Sequence, residues 1–117
     1  FGILIYRKNN KLHKLQLLTN GITYNNKFIE LNSLAISILN TVIKEEMEFS
    51  KVYDIVSKDH LSKIQNDRNR NEIIAHINFK LKQLTNIKSD FLIVSKSSFD
   101  KRYKVLSINK SDYSKFI

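Results

Sequence analysis

The stretch RNEIIAHINFKLKQL, residues 70–84, decides how this chain is read. Ile73, Ile74, Ile77, Leu81 and Leu84 recur at three- and four-residue intervals, so they share one stripe of a helix over about 70–84. Glu72, Ala75, His76, Asn78, Phe79 and Lys82 fall outside or beside that stripe. After a loop at 85–90, the stretches FLIVSK (91–96) and RYKVLS (102–107) read as two strands around a tip at 97–101. A helix followed by a cationic hairpin suits a duplex. The helix fits the major groove, and the hairpin reaches an adjacent groove or the backbone.

Upstream, Leu34, Ile38 and Val42 recur every four residues with Ala35, Leu39 and Ile43 beside them, which predicts a first helix capped by Asn32 or Ser33 and running to about Lys44. Glu45 and Glu46 are expected to end it. Phe49 reads as a short extended link, and Ser50 as the cap of a second helix carrying Val52, Tyr53, Ile55 and Val56. Residues 59–67 are polar and read as a loop, with Leu61 and Ile64 as its anchors. The first 32 residues read as an antiparallel meander of four strands, at 2–7, 12–19, 22–24 and 27–31, with Phe28, Ile29 and Leu31 competing for the core face. The chain has no Pro and only Gly2 and Gly21. Turns therefore fall to Asn, Asp and Ser: Asn9-Asn10, Asn20-Gly21 and Asn25-Asn26.

With 117 residues and 42% hydrophobic residues, the chain suffices for one domain with one core, expected over 1–108, followed by a tail or linker at 109–117. It has no Cys, hence no disulfide framework and no thiolate metal site. It has no Gly-rich phosphate loop and no nucleophile elbow. His13, His60 and His76 are isolated from one another, and no metal or cofactor is expected. No enzymatic activity is expected. No apolar run approaches the ~20 residues that span a bilayer, and no signal peptide is visible. The chain opens on Phe1, as a fragment would, so a membrane anchor or second domain would come from a missing segment. A cytoplasmic location is expected.

Net charge is +9 and uneven: residues 1–59 carry 8 Lys/Arg against 6 Asp/Glu, whereas residues 60–117 carry 12 against 5. A cationic half points to a polyanion, either nucleic acid or an anionic membrane. No helix here has the broad Lys-rich amphipathic form that a membrane surface would favour.

Three stretches and the hairpin resemble the winged helix-turn-helix output domain of OmpR/PhoB-type response regulators and their ToxR/CadC-type relatives. LNSLAISIL at 31–39 is similar to the family's Leu-Thr-x-x-Glu-x-x-Leu-Leu entry into its first helix. Phe49-Ser50 is similar to the Val-Ser that opens the second. Ile73 through His76-Ile77 to Leu84 is similar to the recognition helix, and residues 93–105 resemble the closing wing. The likeness spans about residues 14–107. Ala35 stands where the family has Glu, the wing lacks both glycines, and Asn78 and Phe79 stand where basic residues are common. The resemblance implies an α+β fold with an N-terminal β-meander, three helices and a C-terminal hairpin wing. It also implies a bacterial DNA-binding transcription regulator, with a homodimer on DNA and contact with RNA polymerase near Glu45, Glu46 and Glu48 as further expectations, although the residues themselves read first as a solvated acidic loop.

The DNA-facing candidates follow from both lines. Arg68 and Arg70 precede the expected helix start, where free amides and the helix dipole also favour phosphate, and are assigned to the DNA backbone. Asn71 and Asn78 offer paired contacts to adenine, the alternative being ordinary surface asparagines. Ala75 and Lys82 lie on the same outer side. His76 touches the backbone by resemblance, or is half-buried beside the second helix. Phe79 is expected to pack under the wing or second helix, the alternative being a thymine methyl. Lys96, Lys101, Arg102 and Lys104 crowd the hairpin, either on phosphate and minor groove or as a charged strand edge in water. Missing basic residues in the third helix and missing wing glycines leave a second functional reading, a protein-interaction module that has lost DNA binding.

Overall fold

Asn25 and Asn26 both take left-handed backbone angles, φ 54° and 65°. Two consecutive positive φ values make a type I′ turn, whose twist suits a two-residue hairpin. That turn joins β2 (Gly21–Tyr24) to β3 (Lys27–Glu30), and β2 also pairs antiparallel with β1 (Gln16–Leu17). The structure, a computed structural model, describes residues 14–97, 99–109, 112, 115 and 116. The strand expected at 2–7 lies outside the described residues. The Asn20-Gly21 turn is displaced by one residue: Gly21 opens β2, and its carbonyl accepts from Leu18 N–H at 2.8 Å. Glycine is needed there for space, because a Cβ would sit 2.3 Å from the Ile29 carbonyl oxygen and 2.6 Å from the Phe28 ring. Leu31 takes the core place, Ile29 is half-buried and Phe28 faces solvent.

The first helix, α1 (Ser33–Lys44), starts as expected, with Asn32 Oδ1 accepting from Ala35 N–H at 2.8 Å. It buries Ala35, Ile36, Ile38, Leu39 and Val42. The next link departs from expectation. Met47–Glu48 forms a short strand, β4, and α2 (Phe49–Val56) begins immediately after it with no side-chain cap, so Phe49 is helical and Ser50 does not cap. The cause is tertiary. Met47 is buried opposite Leu106, and the ladder to the C-terminal hairpin sets the backbone there.

The third helix is longer than its apolar stripe. It runs over α3 (Lys63–Thr85), opened by a reciprocal capping box in which Ser62 Oγ accepts from Gln65 N–H and Gln65 Oε1 accepts from Ser62 N–H. The loop expected over 59–67 is corrected accordingly. The first turns bury Asn66 rather than an aliphatic residue. Its amide accepts from Lys58 N–H at 3.0 Å and donates to the Lys58 carbonyl at 3.2 Å, tying α3 to the end of α2. Ile64 is no anchor: it is 73% exposed. The helix ends on Asn86 in the left-handed conformation, φ 61°.

The hairpin pairs β5 (Leu92–Lys96) with β6 (Lys104–Ile108), in register from Leu92 opposite Ile108 to Lys96 opposite Lys104. The second sheet has the order β4-β6-β5, which leaves β5 at an edge. The protein is thus α+β, with three helices and two small antiparallel sheets among the described residues. One core joins Ile22, Ile38, Leu39, Val52, Ile77, Leu81, Phe91 and Leu106. Phe91, expected in a strand, is fully buried before β5 begins, with the Phe116 ring edge-on at 6.3 Å. The described residues of the C-terminal segment pack back on the domain: Leu15 N–H donates to the Lys115 carbonyl, and Lys115 pairs with buried Asp112 at 2.6 Å. No helix among the described residues is long and apolar enough to cross a membrane.

Candidate nucleic-acid interface

A helix turns ~100° per residue, so positions 64, 68, 71, 72, 75, 79 and 82 share one side of α3. All of these residues except half-buried Lys82 are exposed in the structure. The opposite side is buried through Asn66, Ile74, Ile77, Leu81 and Leu84, and Asn78 is buried at the border of the exposed side, close in rotation to Asn71. The uncovered side therefore presents Arg68, Asn71, Glu72, Ala75 and Phe79 in a row, with exposed His76 at its margin. Phe79 is 61% exposed and packs under neither the hairpin nor α2, contrary to expectation. His76 lines a groove with Leu34, Val56 and Ile73, between the start of α1, the end of α2 and α3.

Two sequence candidates leave the interface. Asn78 is only 6% exposed. Its amide donates to the Leu92 carbonyl at 3.0 Å and accepts from Leu92 N–H at 2.7 Å. It pairs with the outer edge of β5 as a neighbouring strand would, and no base can reach it. Arg70 lies inside α3 rather than before it. Its guanidinium stacks 3.9 Å from the Phe49 ring centroid and pairs with Asp67 at 3.3 Å, leaving the side chain 15% exposed. That is a structural cation–π contact. Arg68 is likewise helical, so neither arginine sits beside free N-terminal amides, but Arg68 remains exposed.

Asn71 is exposed, and its carbonyl oxygen accepts from Arg70 Nε and Nη2, both at 3.3 Å. A paired contact to adenine requires that oxygen to let go. Lys82 is half-buried and paired with Asp90 just before the hairpin. On the hairpin, Lys96, Lys101, Arg102 and Lys104 are all exposed. Arg102 holds Asp100 through two carboxylate oxygens, at 3.1 Å from Nε and 2.7 Å from Nη2. The Arg102 side chain, helped by its backbone N–H, draws the Asp100 carboxyl below its ordinary value, and Asp100 in turn raises the guanidinium. Ser97 Oγ accepts from the backbone amides of Phe99 and Asp100, ordering the tip. The tip residues Phe99 and Tyr103 share a shallow cleft with Glu45, Glu46, Glu48 and Lys51.

Pairing sharpens the charge distribution. In residues 60–117, Asp67, Asp90, Asp100 and Asp112 are each held by a cation. Among the described residues of that half, Arg68, Lys88, Lys96, Lys101 and Lys104 enter no ion pair and are exposed, and the same holds of Lys27, Lys44, Lys51 and Lys58 in the other half. Lys88 is a candidate that sequence reasoning missed, because only the pairing pattern separates it from Lys82. No group of His, Asp or Glu among the described residues has the grouping to hold a metal ion. No protein-family model, curated protein or solved structure matches the chain.

Proposed function

We propose that the chain is a winged helix-turn-helix module that binds double-stranded DNA as part of a transcription regulator. In this reading α3 enters the major groove and the β5–β6 hairpin rests on the flanking backbone or minor groove. The carrying observation is the exposed side of a 23-residue helix, followed after the loop at 86–91 by a hairpin that bears Lys96, Lys101 and Lys104. The helix order and a β4-β6-β5 sheet that joins the strand between α1 and α2 to the hairpin add support. Arg68, Lys88, Lys96, Lys101 and Lys104 meet phosphate, and Asn71, Ala75 and Phe79 approach base edges.

Electrophoretic titration against a random duplex pool at several salt concentrations tests this. If Arg68, Lys88, Lys96, Lys101 and Lys104 all meet phosphates, log affinity falls with log salt at a slope of about −4.5. A flat, weak response refutes the reading. One observation favours a second reading, a protein-interaction module: Ile64 and Phe79 give the exposed side of α3 apolar character. Reversing charge with Arg68→Glu and Lys101→Glu separates the two, since DNA binding collapses under the first reading and partner binding persists under the second.

A further inference from the structure

The exposed side of α3 is poorly equipped to read guanine. The usual reader is an Arg or Lys that reaches O6 and N7. Arg70 is stacked on Phe49, Lys82 is tied to Asp90, and Arg68 alone of the helix's arginines is uncovered. Adenine is also poorly served, because Asn78 is engaged by Leu92 and the Asn71 oxygen by Arg70. At the middle of the face stand two apolar side chains, Ala75 and Phe79, one helical turn apart. A phenyl ring entering a major groove meets only one apolar group on the base edges, the C5-methyl of thymine.

We propose that this interface selects its site through thymine methyl groups, with Phe79 the principal specificity-determining residue and Ala75 its smaller neighbour. The inference rests on the DNA-binding reading above. Four residues of helix rise about 6 Å, and successive base pairs lie about 3.4 Å apart. The two side chains therefore cover neighbouring steps, and the preferred site carries thymines within two or three consecutive base pairs. The short Ala75 side chain lets the helix axis come close to the groove floor, and the longer Phe79 side chain reaches across it. Exposed cations outside any ion pair on α3 (Arg68), the following loop (Lys88) and the hairpin (Lys96, Lys101 and Lys104) supply the phosphate contacts that this reading requires.

The test uses the full chain and a duplex recovered by selection from a random pool. Thymines are replaced one at a time by deoxyuridine, which removes the methyl and keeps every base-pairing group. The wild-type protein is expected to lose about four-fold in affinity at each contacted position, the factor equal to about 0.8 kcal/mol for a buried methyl-sized group. Phe79→Ala, at an exposed position, is expected to keep the wild-type melting temperature and circular dichroism. It should bind more weakly and no longer distinguish thymine from deoxyuridine at one of those positions, while Phe79→Leu keeps part of the discrimination. Equal binding of the thymine and deoxyuridine duplexes overturns the proposal. So does a Phe79→Ala protein that still discriminates, or one that binds DNA as the wild type does, which leaves the ring to a protein partner. Failure to bind any duplex at about 50 mM salt overturns the DNA reading itself and this inference with it.

Discussion

Replacing Asn78 with Ala removes two hydrogen bonds at once and leaves both main-chain groups of Leu92 facing the hole. The bonds are 3.0 Å to the Leu92 carbonyl and 2.7 Å from its N–H, in a setting where Leu92 is 2% exposed. A net bond contributes about 0.5–1.5 kcal/mol, and an orphaned buried polar group costs about 1–3 kcal/mol. Water entering the truncated site recovers part of that, so the expected loss is about 2–4 kcal/mol. For a chain of this size that lowers the melting temperature by about 8–16 °C. Urea denaturation and thermal melting measure it, and hydrogen exchange at the Leu92 amide localises it, because that amide loses its protection first. Asn78→Asp adds a directional control. It keeps the acceptor, and only its neutral form has an O–H to donate to the Leu92 carbonyl, so the buried acid is favoured neutral in the fold. The folded acid therefore holds its proton to higher pH than the unfolded one, and stability relative to the parent is greatest at acidic pH and falls as pH rises. If Asn78→Ala costs less than about 0.5 kcal/mol and leaves Leu92 protected, the strand-edge role is wrong.

Three further outcomes are expected. Gly21→Ala places a Cβ against the Ile29 carbonyl and forces β2 from β3, costing about 1–3 kcal/mol in denaturant unfolding; an unchanged midpoint contradicts this. Arg70→Ala destabilises by about 0.5–2 kcal/mol through lost stacking on Phe49 and leaves the salt slope of DNA binding unchanged. Arg68→Ala does the reverse, with stability within about 0.5 kcal/mol and a slope shallower by about 0.9, and the opposite pattern would restore Arg70 to the interface. The Asp100 carboxyl titrates below its ordinary value because of Arg102, so the tip contact is present above the ordinary carboxylate range and is lost as pH falls through the lowered value. In Arg102→Gln, carboxyl NMR should show Asp100 titrating at higher pH, and no movement would refute the pairing.

The residues alone determined those features whose physics is local. Ile38 and Val42 at four-residue spacing, with Ala35 and Leu39 beside them, marked the buried stripe of α1, although Leu34 in the same pattern is exposed; Asn32 capped the helix, and Asn25-Asn26 made the left-handed turn. The order of strands, helices and hairpin, and the stripe from Ile73 to Leu84, were legible for the same reason, since apolar periodicity reports burial directly. Tertiary structure decided the rest. The two residues of β4 are too few to show a period, and they form a strand only because β6 is beside them. The start of α3 was hidden because Asn66 occupies a core position, and an asparagine reads as polar until its partners at Lys58 and Leu61 are present. Asn78 and Arg70 left the interface for the same cause: a polar side chain is buried or exposed according to which distant group satisfies it, here Leu92 for one and Phe49 for the other. Phe79 was decided by what does not cover it. Its apolar character suggested the core, and only the packing of α3 against the sheet and its neighbouring helices turned that ring toward water.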